Sequence, residues 1–385
     1  MGFKSKVLAG FALILVGFGL PSIGLATDTD EKSWGKLFQG APKLEYANGN
    51  WIKLRGRIFY DIASINETPV GGVTRNIDED QFRVARIGLQ GKIGKFKYVG
   101  ELDFAGGKTS FKDFNIAWSG PVKIKVGQMK TTNSMEETTS SINISFLERA
   151  MFTDAFGIDR RLGVVIAKTG KNYGLSAGVF GNSIDAERKN LTGTTVSSAR
   201  ATFAPILESG KVLHFGASVR YTDNAIGAPS RSSRWGAGLA TEKVRPIIGD
   251  DAFLYGFETA TVIGKFHAQA EYMAESGDLG SAKGGFVQAG YFLTGETRKY
   301  KAGAGTFARI KPLKPLSEGG FGGWEVVARV DNFDARNAND EQVTAWTTGL
   351  TWYPESHLRV KLNYTDANGD RFVGDGLQLR LQIDW

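Results

Sequence analysis

The sequence predicts an all-β protein, a 16-stranded antiparallel transmembrane β-barrel. Three observations indicate this fold: short segments of alternating apolar and polar residues, connections that are alternately short and long, and the lack of a long apolar segment beyond the N-terminus. Closing the sheet gives every backbone N–H and C=O group in the membrane a partner. About sixteen strands enclose a lumen too wide for side chains to fill, so the predicted lumen holds water.

The alternation is clearest in the last ten residues, GLQLRLQIDW. From Leu377 to Trp385 apolar residues occupy the odd positions and polar residues the even ones, which puts the two sets on opposite faces of a strand. Three segments repeat this pattern clearly: WIKLRGRIFYD (51–61), VLHFGASVRYT (212–222) and HLRVKLNYT (357–365). Twelve more bring the predicted strands to sixteen: 82–93, 96–105, 111–118, 122–129, 161–168, 173–180, 198–204, 253–262, 266–273, 285–294, 324–333 and 343–353.

The connections between these segments differ in length in a regular way. Short ones such as IGK, SGP, KTGKN and YPES alternate with longer ones, predicted at 62–81, 130–160, 181–197 and 222–252. Short turns at one end and long loops at the other are typical of outer-membrane barrels. An even number of strands returns both ends of the barrel to the side of the short turns.

The N-terminal 26 residues are predicted to be a signal peptide that is cleaved on export. Lys4 and Lys6 precede the apolar stretch VLAGFALILVGFGL, and small residues follow at the cleavage position. The alternative is a membrane anchor, but this stretch falls short of the ~20 apolar residues that a spanning helix needs. Residues 27–49 are then a periplasmic lead-in, residues 50–385 form the barrel domain, and the predicted location is the Gram-negative outer membrane.

Composition and charge restrict the partners. The chain has 50 glycines, 10 prolines and no cysteine, so a hydrogen-bonded sheet rather than disulfides must hold it together. The formal net charge is +7. On an exported chain this surplus favours small anions or anionic lipid over nucleic acid as partners.

The connection at 130–160 is unusually long for one without its own regular structure, and such loops usually have a function. It lies within an ordered set of motifs: RVARIGLQGKIGKFKYVGELDFA, KDFNIAW, VGQMK, ETTSS, FLERA and RRLGV. This set resembles the phosphate-selective porin O and P family, and FLTGETRKY, GGWEVVARVDNF and the C-terminal aromatic residue match more loosely. The resemblance implies a homotrimeric outer-membrane porin whose third loop, here 130–160, folds into the barrel and narrows the pore.

The resemblance also implies a pore lined by basic residues and a serine pair. Basic residues with inward parity are Lys53, Arg55, Arg57, Arg86, Lys123, Lys125 and Arg220. The serine pair matches Ser140 and Ser141, and the charged residues of the constriction loop are Glu136, Glu137, Glu148 and Arg149. The connection 295–322 resembles the family's inward-folded periplasmic segment, although a solvated basic loop is the alternative, and it adds Arg298, Lys299, Lys301, Arg309, Lys311 and Lys314.

One position departs from the family pattern. Glu137 lies three residues before the serine pair, where phosphate-selective members carry a lysine, and an unpaired carboxylate there would repel a dianion. Acids of inward parity weaken the positive field further: Asp61, Glu101, Asp103, Asp113, Glu271 and Glu325. The sequence therefore predicts a water-filled channel for passive diffusion of small anions, with phosphate or polyphosphate as possible permeants and a general or weakly selective porin as the alternative.

Other classes of protein have weaker support. A barrel enzyme would need a nucleophile and base in hydrogen-bond reach, whereas His214 and His267 have inward parity, away from lipid substrates. A structural barrel with a closed lumen is a further alternative, which ion conductance would distinguish. We expect no catalytic residue, metal site or cofactor. The expected partners are phosphate-like inorganic anions and outer-membrane lipid or lipopolysaccharide, without nucleic acid.

Overall fold

The computed structural model describes residues 40–41, 43–185, 193–223 and 231–385. Sixteen strands, β2–β13 and β16–β19, form one closed antiparallel barrel. The strands are β1 (Lys43–Glu45), β2 (Trp51–Pro69), β3 (Arg75–Ile93), β4 (Phe96–Asp103), β5 (Ser110–Ser119), β6 (Lys123–Lys130), β7 (Arg160–Thr169), β8 (Tyr173–Phe180), β9 (Thr195–Glu208), β10 (Lys211–Asp223), β11 (Asp251–Ile263), β12 (Phe266–Gly277), β13 (Ser281–Phe292), β14 (Tyr300–Lys301), β15 (Thr306–Phe307), β16 (Gly323–Asp334), β17 (Gln342–Glu355), β18 (Leu358–Gly369) and β19 (Phe372–Asp384).

Each barrel strand pairs with the barrel strands before and after it in the chain. The barrel closes where β19 pairs with β2, in a register that runs from Phe372↔Pro69 to Asp384↔Arg57. The short strand β1 forms a hairpin with the start of β2, and β14 pairs with β15 inside the connection 293–322. The predicted signal peptide, residues 1–26, and most of the lead-in 27–49 lie outside the described residues.

The alternation in the sequence corresponds to the two faces of the wall. In β19, Arg380 and Gln382 are 2% and 0% exposed, whereas the intervening Leu381 is 40% exposed. The same division recurs on β18, where Lys361 is buried and Tyr364 is exposed. The apolar side chains face outward, as in a barrel that is surrounded by lipid. Since successive residues of a strand point to opposite faces, the polar side chains between them face the lumen.

The predicted long loop at 62–81 is wrong. Strands β2 and β3 each run for 19 residues, so only residues 70–74 connect them. Polar pairs on the outer face support the extension: Ser64 Oγ donates to Asp78 Oδ1 at 2.6 Å, and Tyr60 OH donates to Asp80 Oδ2 at 2.7 Å. The acidic residues of β3 resemble a loop in composition, but they are paired across a hairpin.

The other three long connections are present at 131–159, 181–194 and 224–250. The first contains two single-turn helices, α1 (Met135–Thr138) and α2 (Met151–Ala155), and a third, α3 (Arg336–Asn339), follows β16. Ser134 caps α1 by accepting a hydrogen bond from Glu137 N at 3.0 Å. No helix among the described residues is long and apolar enough to cross a membrane.

An apolar cluster joins two of these connections to the wall. Phe152 and Phe156 of the first connection pack with Trp235 of the connection 224–250 and with Phe286 and Phe333 of β13 and β16. All five side chains are buried. The cluster therefore fixes the connection 131–159, here called the third loop, against one side of the barrel and leaves the other side more open.

Candidate pore and its charged lining

A space with a strongly charged lining lies between the third loop and the wall formed by β2–β9. It is a cavity of about 620 Å³. Eight arginines and four lysines line it: Arg55, Arg57, Arg83, Arg86, Arg149, Arg160, Arg200, Arg380, Lys112, Lys123, Lys125 and Lys130. Five acids line it as well: Asp113, Glu137, Glu148, Asp154 and Asp159. This excess of cations in a confined space concentrates anions.

Three arginines on neighbouring strands share two buried acids on one side of the cavity. Glu101 accepts from Arg55 at 2.8 Å, Arg57 at 3.2 Å and Arg86 at 3.2 Å, and Asp103 Oδ2 accepts from Arg86 Nε at 2.8 Å. Three guanidinium groups against two carboxylates leave one positive charge. The acids hold the arginines in fixed positions, and hydrogen-bond capacity remains toward the cavity.

The predicted serine pair lies beside this group. Arg57 Nη1 donates to Ser141 Oγ at 3.1 Å and to Ser140 Oγ at 3.4 Å. Because the serines belong to the third loop and Arg57 to β2, the hydroxyls and the guanidinium meet across the cavity. Such groups can donate hydrogen bonds to a tetrahedral oxyanion without covalent chemistry.

A separate set of cations has no counter-ion. Lys112 of β5 and Lys123 and Lys125 of β6 line the cavity and form no ion pair with any other described residue. Lys123 and Lys125 occupy alternate positions of one strand, about 6.6 Å apart at a rise of ~3.3 Å per residue. This spacing is within the Debye length of ~8 Å at physiological salt, so their fields add.

The acid that departs from the family pattern is paired. Glu137 Oε1 lies 2.7 Å from Lys130 Nζ, and Glu137 Oε2 lies 2.9 Å from Arg149 Nε. Arg149 also donates to the carbonyl oxygens of Glu136 and Thr139 at 3.1 and 2.7 Å, so it ties two parts of the loop together. Glu137 thus cancels charge that Lys130 and Arg149 would otherwise present to an anion.

Two other acids of the third loop differ in their surroundings. Glu148 accepts both hydrogen bonds of Arg83 at 3.0 Å and one from Arg380 at 2.8 Å. Burial alone would raise the pKa of Glu148, but these guanidinium groups hold it at about 2. For Asp154, loss of hydration inside the barrel raises the pKa to about 6, and the carboxylate of Glu148 adds to this against the charge of Arg83.

Basic side chains on the opposite wall hold the backbone of the third loop. Arg329 of β16 donates to Glu148 O at 3.0 Å and pairs with the Glu136 carboxylate at 3.0 Å. Lys361 of β18 donates to the carbonyl oxygens of Ile144 and Phe146 at 2.7 and 3.2 Å. Irregular backbone inside a barrel needs such donors, because its carbonyl groups have no partner of their own.

Acids of the same wall bind the third loop at several points. Glu271 accepts from Ser134 Oγ at 2.7 Å and from Glu136 N at 2.6 Å. Ser145 Oγ donates to Glu325 Oε1 at 2.9 Å, and Met151 N donates to an Asp331 carboxylate oxygen at 2.7 Å. The third loop is thus bonded along its length to polar side chains of β12 and β16.

Several residues predicted to line the pore lie outside the cavity. Arg220 is buried and donates to Phe156 O at 2.6 Å and to Glu275 at 2.8 Å, so it anchors the loop. Lys53 lies near the start of β2, next to the positive charge of Arg309. Neither residue borders the space described above, whereas Arg55, Arg57, Arg86, Lys123, Lys125 and both serines do.

The basic residues of the connection between β13 and β16 fall into two groups. Arg298 is buried, donates to Asn143 O and lies over the ring of Phe307, and Arg309 pairs with Asp384. Arg200 of β9 donates to Gly305 O at 2.7 Å, so part of the connection is bonded to the inner wall. The four lysines of the connection, in contrast, are exposed: Lys299, Lys301, Lys311 and Lys314.

Sequence reasoning missed several lining residues, which are Arg83, Lys112, Lys130, Arg160, Arg200 and Arg380. The register shifts between Phe59 and Tyr60 and between Gly100 and Leu102 put an extra residue in β3 and in β5. Arg83 and Lys112 lie at these bulges, where strict alternation fails. For Arg380 the signal was present, since it lies on the polar parity of the last strand.

The inward histidines lie among wall groups. His214 Nε2 is 2.9 Å from Glu258, and its Nδ1 is 2.6 Å from Tyr300 OH. His267 Nε2 is 2.6 Å from Glu325. Both rings are buried and each joins a wall strand to a neighbouring acid.

A closed barrel with an apolar outer face and a charged lumen defines a channel of the porin class. The family model "Phosphate-selective porin O and P" matches residues 52–385. The chain therefore belongs to this family, which confirms the prediction of an outer-membrane porin. The strand pairing described above confirms the sixteen-stranded barrel.

Two sequence relatives illustrate the match. A Caulobacter vibrioides protein described as uncharacterised is 32% identical over 360 residues, covering 85% of this chain and 70% of its own length. Porin O of Pseudomonas aeruginosa is 29% identical over 394 residues, covering 86% of this chain and 87% of its own.

Solved structures share the fold at low sequence identity. The anion-selective porin from Comamonas acidovorans has a TM-score of 0.59 at 12% identity and covers 87% of this chain and 100% of its own. The trimer form of OmpT from Vibrio cholerae has a TM-score of 0.52 at 11% identity and covers 87% of this chain and 99% of its own.

Proposed function

We propose that the protein conducts small inorganic anions passively across the outer membrane, phosphate among them, with a moderate rather than strict preference over cations. The observation that carries this proposal is the lining of the cavity, where eight arginines and four lysines face five acids. Lys112, Lys123 and Lys125 contribute most to the field, because they lack an ion pair with any described residue. The relatives' names, Porin O and an anion-selective porin, agree with this direction.

The third loop is proposed to fold into the lumen and to set its width. Its hydrogen bonds to Glu271, Glu325, Arg329 and Lys361 support this, since these side chains belong to the polar face of the wall. The water-filled path then runs along the opposite side, between the loop and β2–β9. An anion passing there meets Arg57 and the two serines at one point.

The preference is moderate because acids are built into the same wall. Glu101 and Asp103 neutralise two of the three arginine charges beside the serine pair, and Glu137 neutralises part of the loop's own charge. An anion at this point therefore binds weakly and can leave, which conduction requires. A strict phosphate filter would need more unpaired cations here.

Further parts of the proposal rest on the family and on neighbouring structures. The segment 295–322 would fold into the periplasmic mouth, supported by the bonds from Arg200 and Arg298. A homotrimer agrees with the trimer form of OmpT, and residues 1–26 would be removed on export. Outer-membrane lipid would surround the apolar face. The barrel would then act as a channel rather than as an enzyme.

Single-channel recording in planar bilayers tests the function. With a tenfold gradient of KCl, the reversal potential should have the sign of chloride permeation, and added phosphate should reduce the chloride current. A reversal potential of the opposite sign would show a cation-selective pore. Chloride selectivity without any effect of phosphate would identify a general anion porin.

A further inference from the structure

The outer face of the barrel carries a depression that the pore does not use. Its larger part is an apolar groove of about 750 Å³ across β10–β13 and β16, bordered by Phe215, Phe257, Val287 and Val330. A smaller pocket of about 340 Å³ lies toward the end of these strands, and Tyr272 borders both spaces. The two spaces therefore adjoin at Tyr272, and together they are called the depression here.

Strand register arranges the depression in three rows. The first row contains Lys283 and Asp334, the middle row has two aromatic rings and a glycine, and the third row has three aliphatic residues and a threonine. Across β11, β12, β13 and β16 the rows are Tyr255, Ala274, Lys283 and Asp334; Phe257, Tyr272, Gly285 and Asn332; and Thr259, Ala270, Val287 and Val330. This order, from charge through aromatic rings to aliphatic side chains, follows the profile of a lipid from headgroup to acyl chain.

Small residues form the floor of the groove. Ala270 and Gly285 lie between larger side chains. A Cβ built on Gly285 would stand only 2.7 Å from the carbonyl oxygen of Glu271, so this position admits no side chain next to Tyr272. Phe257 and Val287 stand on either side, 59% and 64% exposed.

The headgroup end of the depression carries two cations and one acid. Lys283 Nζ lies 3.7 Å from Asp334 Oδ2, and Arg336 reaches the same carboxylate at 2.7 and 3.0 Å. One positive charge remains after this pairing. The two basic side chains are 57% and 56% exposed, so both can contact a further anion.

The depression opens toward the outer leaflet. Lys283 is at the start of β13 and Arg336 follows the end of β16, which is the end of the barrel that carries the third loop and the connection 224–250. Long loops lie on the extracellular side in barrels of this class. Cations on a lipid-facing wall at this depth are favourable where an anionic headgroup meets them.

We propose that this depression is a binding site for a phosphorylated glycolipid of the outer leaflet. Lys283 and Arg336 would bind a phosphate, the hydroxyl of Tyr255 or Tyr272 would contact the sugar, and one acyl chain would occupy the groove over Ala270. A second protein copy is less suited to the site, because a concave apolar groove that ends in surplus positive charge complements an anionic amphiphile.

Lipid binding to the purified full-length barrel tests the proposal. Delipidated protein in a neutral detergent is titrated with bisphosphorylated lipid A, and bound lipid is counted by native mass spectrometry. We expect the double variant Lys283→Ala, Arg336→Gln to weaken binding by roughly tenfold. Ala270→Phe, which fills the groove and keeps both cations, should weaken it as well. Lys168 is an outward lysine near the end of β7 that is remote from the third loop. The control variant Lys168→Ala should therefore leave lipid binding unchanged.

Heat-modifiable mobility on gels confirms that each variant is folded before it is compared. Equal affinity for lipid A in the wild type, the double variant and Ala270→Phe would overturn the proposal. Loss of the oligomer in these variants with unchanged lipid affinity would overturn it too, and would identify the face as a contact between copies. Equal loss of binding in Lys168→Ala would show that lipid A only coats the barrel.

Discussion

Both sides of the barrel wall carry basic side chains of inward parity, but these side chains have different partners. On β2–β9 they face a cavity, and three lysines there have no counter-ion among the described residues. On β10–β19, Arg220, Arg329 and Lys361 are buried and donate to carbonyl oxygens of the third loop. An inward Arg or Lys in this barrel can therefore either line the cavity or hold the backbone of the third loop.

The supporting side explains how an irregular loop can be stable within a barrel. Carbonyl groups in such a loop lose hydration and need donors. Arg and Lys supply several donors each and carry no acceptor group that would need a donor in turn. The wall strands therefore hold the loop in place, and the loop in turn leaves the cations of β2–β9 facing the cavity. The predictions below separate these two roles, beginning with the largest expected effect.

Removing most of the third loop should change the pore most. We expect replacement of residues 132–150 by a short glycine-serine linker to raise single-channel conductance several-fold, because the loop no longer narrows the lumen. The supporting side chains would then be hydrated by lumen water, so the barrel itself should remain folded. Recording in planar bilayers measures the effect, with heat-modifiable mobility as the folding control. Unchanged conductance in a folded barrel would place the loop outside the permeation path.

The supporting role predicts a loss of stability when a loop anchor is removed. Arg329→Met leaves the buried carboxylate of Glu136 without its partner and Glu148 O without a donor. We expect a loss of about 3 kcal/mol in the free energy of unfolding, measured by urea titration in detergent micelles. The matched control Lys123→Met, on the open side, should change stability by less than about 0.5 kcal/mol. Equal losses of stability in both variants would show that basic side chains on the two sides of the barrel do not differ in their support of the loop.

If ions pass along β2–β9, ion selectivity should depend on the unpaired lysines of that side rather than on the residues that anchor the loop. Lys123→Ala combined with Lys125→Ala should lower the chloride-to-potassium permeability ratio by roughly threefold, since it removes two additive and unpaired charges. Reversal potentials in asymmetric KCl measure this ratio. Lys168→Ala, on the outer face, is the control and should leave the ratio unchanged. A double variant that behaves like this control would mean that ions pass elsewhere.

Much of this arrangement was predictable from sequence because its causes are local. Period-two alternation gave the strands, and the parity of residues such as Arg57, Lys125 and His267 matches the face on which they lie. The extent of β2 and β3 was not predictable by composition, since the acids Asp78 and Asp80 resemble a loop until their partners across the hairpin are known.

The division of the cations between the two roles depends on contacts distant in sequence. Lys361 is more than two hundred positions from Ile144, whose carbonyl group it holds. Nothing near either residue encodes that pairing. Arg83 and Lys112 were missed for another reason, because each bulge adds one residue and reverses the parity of that part of the strand.

Glu137 belongs to the third loop and lines the cavity. Replacing it measures how far its ion pairs reduce the positive charge that an anion meets there. Its neighbours Lys130 and Arg149 are within 2.7 and 2.9 Å, so Glu137→Gln leaves both cations uncompensated. We expect the anion preference to rise about twofold and phosphate to block chloride current more strongly. Glu137→Lys should act in the same direction, although a third cation there would also push the loop away. An unchanged reversal potential in Glu137→Gln would remove Glu137 from the constriction.

The smallest expected effect is a pH dependence from Asp154, which lines the cavity from the third loop. Loss of hydration raises the pKa of Asp154 to about 6, and the nearby Glu148 and Glu137 carboxylates add to this against the charge of Arg83. A raised carboxyl pKa means that Asp154 is neutral below pH 6 and negative above it. The chloride-to-potassium permeability ratio should therefore fall slightly as the pH rises from 5 to 7.5, with its midpoint near 6. Asp154→Asn should remove this step and keep the higher ratio throughout, because an amide cannot ionise. If the step persists unchanged in Asp154→Asn, another group is responsible for the titration. The third loop would then not contribute a pH-dependent charge to the cavity.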